Sequence, residues 1–186
     1  MAWMPVSADP PPAHPRGMSL LEMLACVAIL AILATIATPS LADLVERQRV
    51  DVASYALLNN LALARLTAVS RRSAAVLCPS ADGATCTPTT NWSSGWLLFL
   101  DRDGNRRPDG PGDIVRADIA PVSRHLRVSS SAGRQQIRYL PDGRSAGSNV
   151  TLSICNAEGQ LLASVVVNNA GRARTARPGT PTTCPG

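Results

Sequence analysis

Hydrophobic and polar positions fall into three regimes along this chain. From Met18 to Thr38 the run MSLLEMLACVAILAILATIAT holds 21 residues with one ionisable side chain, Glu22. At 1.5 Å rise per residue such a helix covers about 30 Å, the thickness of one bilayer core, so the run predicts a membrane span. A secretory signal has a shorter apolar run with its cleavage site behind it. Here the polar arm and Gly17 come first, so a cut after Gly17 keeps the apolar helix in the mature chain. Beyond Pro39, positions spaced three and four apart follow: Leu41, Leu44, Val45, Val52, Tyr55, Leu58, Leu61, Ala62, Leu66 and Val69, with Arg65 in the same stripe. Glu46, Arg47, Gln48, Asn59 and Asn60 lie opposite. The spacing predicts that the helix continues to about Ser70 and packs one face, giving a rod of roughly 80 Å.

After Arg72 the pattern changes to short apolar runs separated by turn residues, the signature of antiparallel strands. The expected strands are Ala74 to Cys78, Gly95 to Leu100, Asp113 to Ile119, His125 to Ser129, Gln135 to Tyr139, Val150 to Cys155 and Gln160 to Asn168. Asp142-Gly143 and Glu158-Gly159 are turn signals. The predicted class is α+β, a long N-terminal helix on antiparallel sheet of about seven strands. Four segments result: a leader over residues 1–17, a membrane half of the helix over 18–39, an amphipathic half over 40–72, and a β-rich head over 73–186. The closing TARPGTPTTCPG reads as loop.

The carboxylate in the apolar run is what narrows this picture. A charged group inside a lone anchor costs up to a few kcal/mol, so it is expected to have a partner. A cut after Gly17 makes Glu22 the fifth residue and frees an amine at Met18 one helical turn away. With Pro39 at mature position 22, this resembles the type IV pilin N-terminus. The resemblance implies cleavage after Gly17 by prepilin peptidase, methylation of the new amine at Met18, and pairing of Glu22 with a neighbouring subunit's terminus during assembly. Most pilins have Phe where this chain has Met18. Arg16 keeps the N-terminal side cytoplasmic, which places the head in the periplasm of a two-membrane host, anchored in the inner membrane.

About 145 residues remain for the head, enough for one domain with its own core. Of the five cysteines, Cys26 lies in the apolar run. Cys78, Cys86, Cys155 and Cys184 form an even set on the non-cytoplasmic side, and the most local of three connectivities pairs Cys78 with Cys86 and Cys155 with Cys184. No CxxC occurs and the only histidines are His14 and His125, so no metal or other cofactor is expected. His125 reads as a strand or turn residue. The acidic loop Asp101, Asp103, Asn105, Asp109, Asp113 has oxygen donors at alternate positions, as a calcium loop does. It has Arg106 where that loop needs Gly and Gly112 where it needs Glu, so it reads as a solvated turn. With one histidine in the mature chain and its head cysteines paired, no catalytic constellation is present and the chain is not read as an enzyme.

The runs LNNLALARLTAVSRR, GWLLFLDRDGNRRPDGPGDIVR, IRYLPDGRS and VVVNNAGRAR, in this order, resemble the GspH/FimT family of minor pilins and pseudopilins over nearly all of the mature chain. Charge then singles out the tail. All 18 cationic side chains are Arg; residues 1–119 balance ten of them against eleven acids, whereas residues 120–186 hold eight against Asp142 and Glu158. In the tail, Gly171 permits a turn, and Arg172 and Arg174, two apart on an extended chain, project to one side about 6.5 Å apart, close to the spacing of successive phosphates on a DNA strand. Arg177 adds a third charge. The FimT branch carries a DNA-binding GRxR motif in this tail, and Gly171-Arg172-Ala173-Arg174 matches it. The resemblance implies DNA uptake in natural transformation, with double-stranded DNA and the other pilins, major and minor, as partners. Arg138 and Arg144, and further Arg127 and Arg134, are candidates to extend the footprint. Six aromatics, one of them Trp3, provide no stacking platform, so the expected contacts are to phosphates, with weak affinity and a log-log salt slope of roughly −3 to −4. The alternative is a GspH-like pseudopilin of the type II secretion system, or a pilus-priming minor pilin, without DNA binding.

Overall fold

Fifty-two residues from Leu20 to Arg71 form one helix, α1. Ser19 caps it, its Oγ accepting the Glu22 N–H at 3.2 Å, and Glu22 in the first turn faces the positive end of the helix dipole. Arg72, at φ +50°, ends it in the left-handed region. The computed structural model describes residues 19–131 and 133–185, so the leader over 1–17, Gly17 and Met18 lie outside the described residues. The chain divides at Asp43/Leu44 into two units. In the first, Leu20–Thr35 is apolar and its large side chains, among them Leu24, Ile29 and Leu33, are exposed. A window within Ser40–Arg71 also reaches mean hydropathy 1.2, but its apolar side chains form the head's core, which is a different use of the same composition.

The second unit, Leu44–Gly186, holds eight strands in two four-stranded antiparallel sheets. One orders β3 (Ile114–Ile119), β2 (Gly95–Asp101), β1 (Ala74–Pro79) and β5 (Ile137–Tyr139). The other orders β4 (Leu126–Ser130), β6 (Val150–Asn156), β7 (Leu161–Val167) and β8 (Ala173–Ala176). The helix and the inner faces of both sheets share one core, in which Leu57 and Leu61 meet Leu77, Leu98, Leu152 and Val165. This is the pilin fold, with one strand more than the periodicity predicts.

The buried helix face differs from the expected stripe. Val50, Ala53, Ser54, Leu57, Asn60, Leu61, Ala64, Thr67 and Ala68 are buried, whereas Val52, Tyr55, Leu66 and Val69 are exposed. The helix carries two apolar stripes, and the one rich in small residues faces the sheets because alanine lets the backbones approach closely. Asn60, expected outside, is inside because its Nδ2 donates to Asp118 Oδ2 on β3 at 2.8 Å and to Ala56 O at 2.9 Å.

Two disulfides staple the head. Cys78–Cys86 closes a loop over the outer face of β1 and β2, where Val76, Leu97 and Phe99 form a small second cluster. Cys155–Cys184, 29 residues apart, ties the tail to β6, and two backbone bonds of 2.8 Å, Leu161 N–H to Thr182 O and Cys184 N–H to Gly159 O, lay that tail along β7. Because the loop it closes is long, the C155S/C184S pair is expected to cost about 3–4 kcal/mol in urea unfolding of residues 44–186. A loss below 1 kcal/mol would show that the strand pairing alone holds the tail.

The acidic loop is engaged internally. The buried Asp101 accepts the Arg106 N–H at 3.0 Å and lies 3.0 Å from Arg138 Nε, off the line of a good hydrogen bond. Asp113 meets Arg102 at 3.1 Å. Asp103 and Asp109 share the Asn105 amide, at 2.7 and 2.8 Å. Among the described residues no cluster of His, Cys, Asp or Glu is arranged to hold a metal. His125 is exposed in the turn before β4.

Candidate nucleic-acid interface

The GRAR segment is a hairpin corner. The apolar run VVV at the end of β7 turns through Asn168–Arg172 and returns as β8, pairing Val167 with Ala173 and Val166 with Arg174. The Asn168 side chain builds the corner. Its Oδ1 accepts the Arg172 N–H at 2.9 Å, while its backbone N–H donates to Arg172 O at 3.1 Å and its carbonyl accepts the Gly171 N–H at 2.8 Å. Ala173 packs on the core and Arg174 takes the opposite side of the strand, so the alternation expected of an extended chain is present at the motif. β8 is the strand the sequence pattern missed: four residues with two arginines and no large apolar side chain show no β signature, and it exists because β7 offers it an edge.

Gly171 holds this corner in place rather than touching a ligand by itself. Its φ is +74°, and a Cβ there would lie 2.0 Å from the carbonyl oxygen of Gly143. That carbonyl belongs to a second turn, in which Leu140 N–H donates to Arg144 O and Gly143 N–H to Leu140 O, both at 2.8 Å. Ser145 N–H donates to Asn169 O at 3.1 Å, which locks the two turns together. The Asp142-Gly143 turn signal thus marks the platform against which the GRAR corner sits.

The arginines differ in availability. Among the described residues Arg65, Arg172 and Arg174 have no carboxylate partner. Arg144 stands on the neighbouring turn, exposed, with Nε 2.6 Å from Asp142 Oδ2; such an exposed pair is weak and gives way to a phosphate at little cost. The Arg144 backbone N–H, and then its side chain, hold the Asp142 carboxyl below the usual range, so that charge is satisfied locally. Arg177 is paired with Asp51 of α1 at the far end of β8, and Arg138 with the buried Asp101, so both are already engaged. Arg127 lies on β4, the opposite edge of the same sheet, and Arg134 donates to Ser148.

Two residues that the sequence reading left outside the site complete it. A groove of about 580 Å³ runs between the exposed helix face and the GRAR corner, with Leu58, Arg65, Leu66 and Val69 on one wall and Gly171 and Arg172 on the other. Tyr139 forms its floor. The ring is fully buried and its hydroxyl has no hydrogen-bond partner among the described residues. Burial pushes that phenol up to about 12, against an opposing pull from the Arg65 charge, so it is a neutral donor at physiological pH. Arg65 was legible as a lone cation inside an apolar stripe; Tyr139 gave no such signal.

Comparisons with known proteins agree with this architecture. The family described as Type II transport protein GspH matches residues 53–171, ending at Gly171 just before the two free arginines. The prokaryotic N-terminal methylation motif matches residues 13–38, which include Gly17, Met18 and Glu22. The pilin-like protein PilA1 of Thermus thermophilus is 31% identical over 164 residues, covering 86% of this chain and 97% of that protein. In fold, the chain is similar to the Pseudomonas aeruginosa type IV minor pilin FimU, with TM-score 0.57 and 19% identity over 75% of this chain and 97% of that one. It is also similar to the minor pseudopilin EpsH of the Vibrio cholerae type II secretion system, with TM-score 0.50 and 14% identity over 70% and 98%. These relatives are structural subunits and not enzymes. With the methylation motif at its head and the GspH match through helix and sheets, the chain belongs to the GspH family and is a membrane-anchored minor type IV pilin or pseudopilin.

Proposed function

We propose that this subunit is a FimT-like minor pilin that binds double-stranded DNA through the GRAR corner and serves uptake in natural transformation. The observation that carries the reading is the pair Arg172 and Arg174, held by a rigid corner with no carboxylate to neutralise either. Guanidinium forks suit phosphate oxygens, and Arg144 on the adjoining turn extends the same patch. With Trp92, Trp96, Phe99 and Tyr139 buried, no row of exposed rings exists on which successive bases would stack, so binding is to the backbone and independent of sequence. A filament tip needs only a weak grip, because retraction does the work of pulling.

On this reading prepilin peptidase cuts after Gly17, Met18 becomes the methylated terminus, and Glu22 pairs with the terminus of a neighbouring subunit in the inner membrane before assembly. The exposed apolar stripe of Val52, Tyr55, Leu66 and Val69 supports packing against other pilins. The head then faces the periplasm. A second reading, a pseudopilin of type II secretion, is favoured by the family description and by the likeness to EpsH. The two separate in one titration. Residues 44–186, which contain the whole core and both disulfides, are titrated with two duplexes of unrelated sequence at about 50 and 200 mM salt. Near-equal micromolar affinity for both duplexes, falling about a hundredfold with salt, supports the pilin reading. No binding at the lower salt selects the secretion reading.

A further inference from the structure

The groove beside the GRAR corner does more than the phosphate reading requires, and the inference drawn from it rests on that reading. We propose that it seats one unpaired nucleotide at a DNA strand end or frayed step. The phosphate bridges Arg65 and Arg172, and the base lies in the apolar slot and accepts a hydrogen bond from the Tyr139 hydroxyl.

Three observations converge on that ligand. The first is charge: Arg65 on the helix wall and Arg172 on the hairpin wall line one groove, and neither has a carboxylate partner among the described residues. Arg65 also lies against the platform turn, since a Cβ at Gly143 would meet its Nε at 3.2 Å, so the helix cation and the hairpin corner share one support. The second is shape: about 580 Å³ falls within the roughly 300–1,000 Å³ of sites that take single small molecules, and a duplex is far too wide to enter. Between the cations the walls are Leu58, Leu66 and Val69, which sandwich a flat ring without stacking on it.

The third observation is the Tyr139 hydroxyl. It is buried without a partner, which costs free energy that a phenylalanine at the same place would not. Each base offers keto oxygens or ring nitrogens that accept a hydrogen bond, and a groove floor with one neutral donor fits any of them. An anion clamp, an apolar slot and one donor together describe a nucleotide. An already unpaired nucleotide enters most readily, because the cost of unstacking it has been met. A filament carrying this groove grips a free strand end better than the middle of a duplex.

The test compares a blunt duplex with the same duplex bearing a short single-stranded tail, titrated into residues 44–186 and into its Tyr139→Phe and Arg65→Gln variants. The unaltered domain is expected to bind the tailed probe about fivefold tighter, the worth of roughly one hydrogen bond plus burial. Tyr139→Phe should abolish that preference, leave the blunt duplex unchanged and melt no lower than the parent, which separates loss of function from loss of fold. Arg65→Gln should weaken the tailed probe more than the blunt one. Equal affinity of the parent for both probes, or a Tyr139→Phe variant that keeps the full preference, overturns the groove and leaves the backbone reading standing. Failure of both probes to bind at low salt overturns both.

Discussion

Gly171→Ala is expected to destabilise residues 44–186 by about 3 kcal/mol or more, far outside the usual range for a substitution on the surface of a turn. Two costs add. The left-handed backbone at φ +74° penalises any L side chain by roughly 1–2 kcal/mol, and the new Cβ would stand 2.0 Å from the Gly143 carbonyl oxygen. That oxygen has little room to retreat, because its turn is closed by the Leu140–Arg144 and Gly143–Leu140 hydrogen bonds and pinned to Asn169 by Ser145. Gly159, in the β6–β7 hairpin, provides an internal control. Its φ is +78° and nothing lies within 4 Å of a Cβ placed there, so Gly159→Ala carries the backbone cost alone, about 1–2 kcal/mol. Urea unfolding of the two variants side by side reads the difference. Equal costs would mean that the carbonyl moves freely and the two turns are not locked.

This gives the first letter of the GRxR motif a structural meaning. In the sequence, Gly171 reads as a place where the chain turns, and any of several turns would satisfy that. The close approach of Gly143 is invisible there, because it joins two loops 28 residues apart. It fixes where Arg172 points, and a side chain at residue 171 would swing the arginine away from the helix wall. The long helix, the turn pairs Asp142-Gly143 and Glu158-Gly159, and seven of the strands were legible because periodicity and turn chemistry are local. The cysteines close as the shortest connectivity suggests.

What was not legible depends on partners remote in sequence. The helix has two apolar stripes, and the pattern alone cannot say which one faces the sheets. The choice went to Val50, Ala53, Leu57, Leu61, Ala64 and Ala68, because small side chains permit close packing and Asn60 finds Asp118. That choice leaves Leu66 and Val69 outside with Arg65 and so creates the groove. β8 likewise forms only because β7 is there to pair with it. Of the tail arginines, Arg177 looked equal to the others in the sequence, and only the fold shows Asp51 beside it.

That inequality leads to the double variant Arg172→Ala/Arg174→Ala, expected to weaken duplex binding by roughly 10- to 100-fold near 50 mM salt and to lower the log-log salt slope by about 2. The reasoning counts phosphates. Arg172 and Arg174 are free, and Arg144 and Arg65 border them, so about four contacts give a slope near −3.6. Removing two halves it. Arg177→Ala should do less, because Arg177 must first leave Asp51, and its loss removes an attraction already partly neutralised. Arg127→Ala, three strands away across the sheet at about 4.8 Å per strand, should change affinity by less than about twofold. Fluorescence anisotropy over a salt series measures both affinity and slope, and the unfolding curve of each variant checks that the fold is intact. A double variant with unchanged slope would move the phosphate contacts off the GRAR corner, whereas a loss from Arg127→Ala as large as from the pair would make the binding a property of net charge.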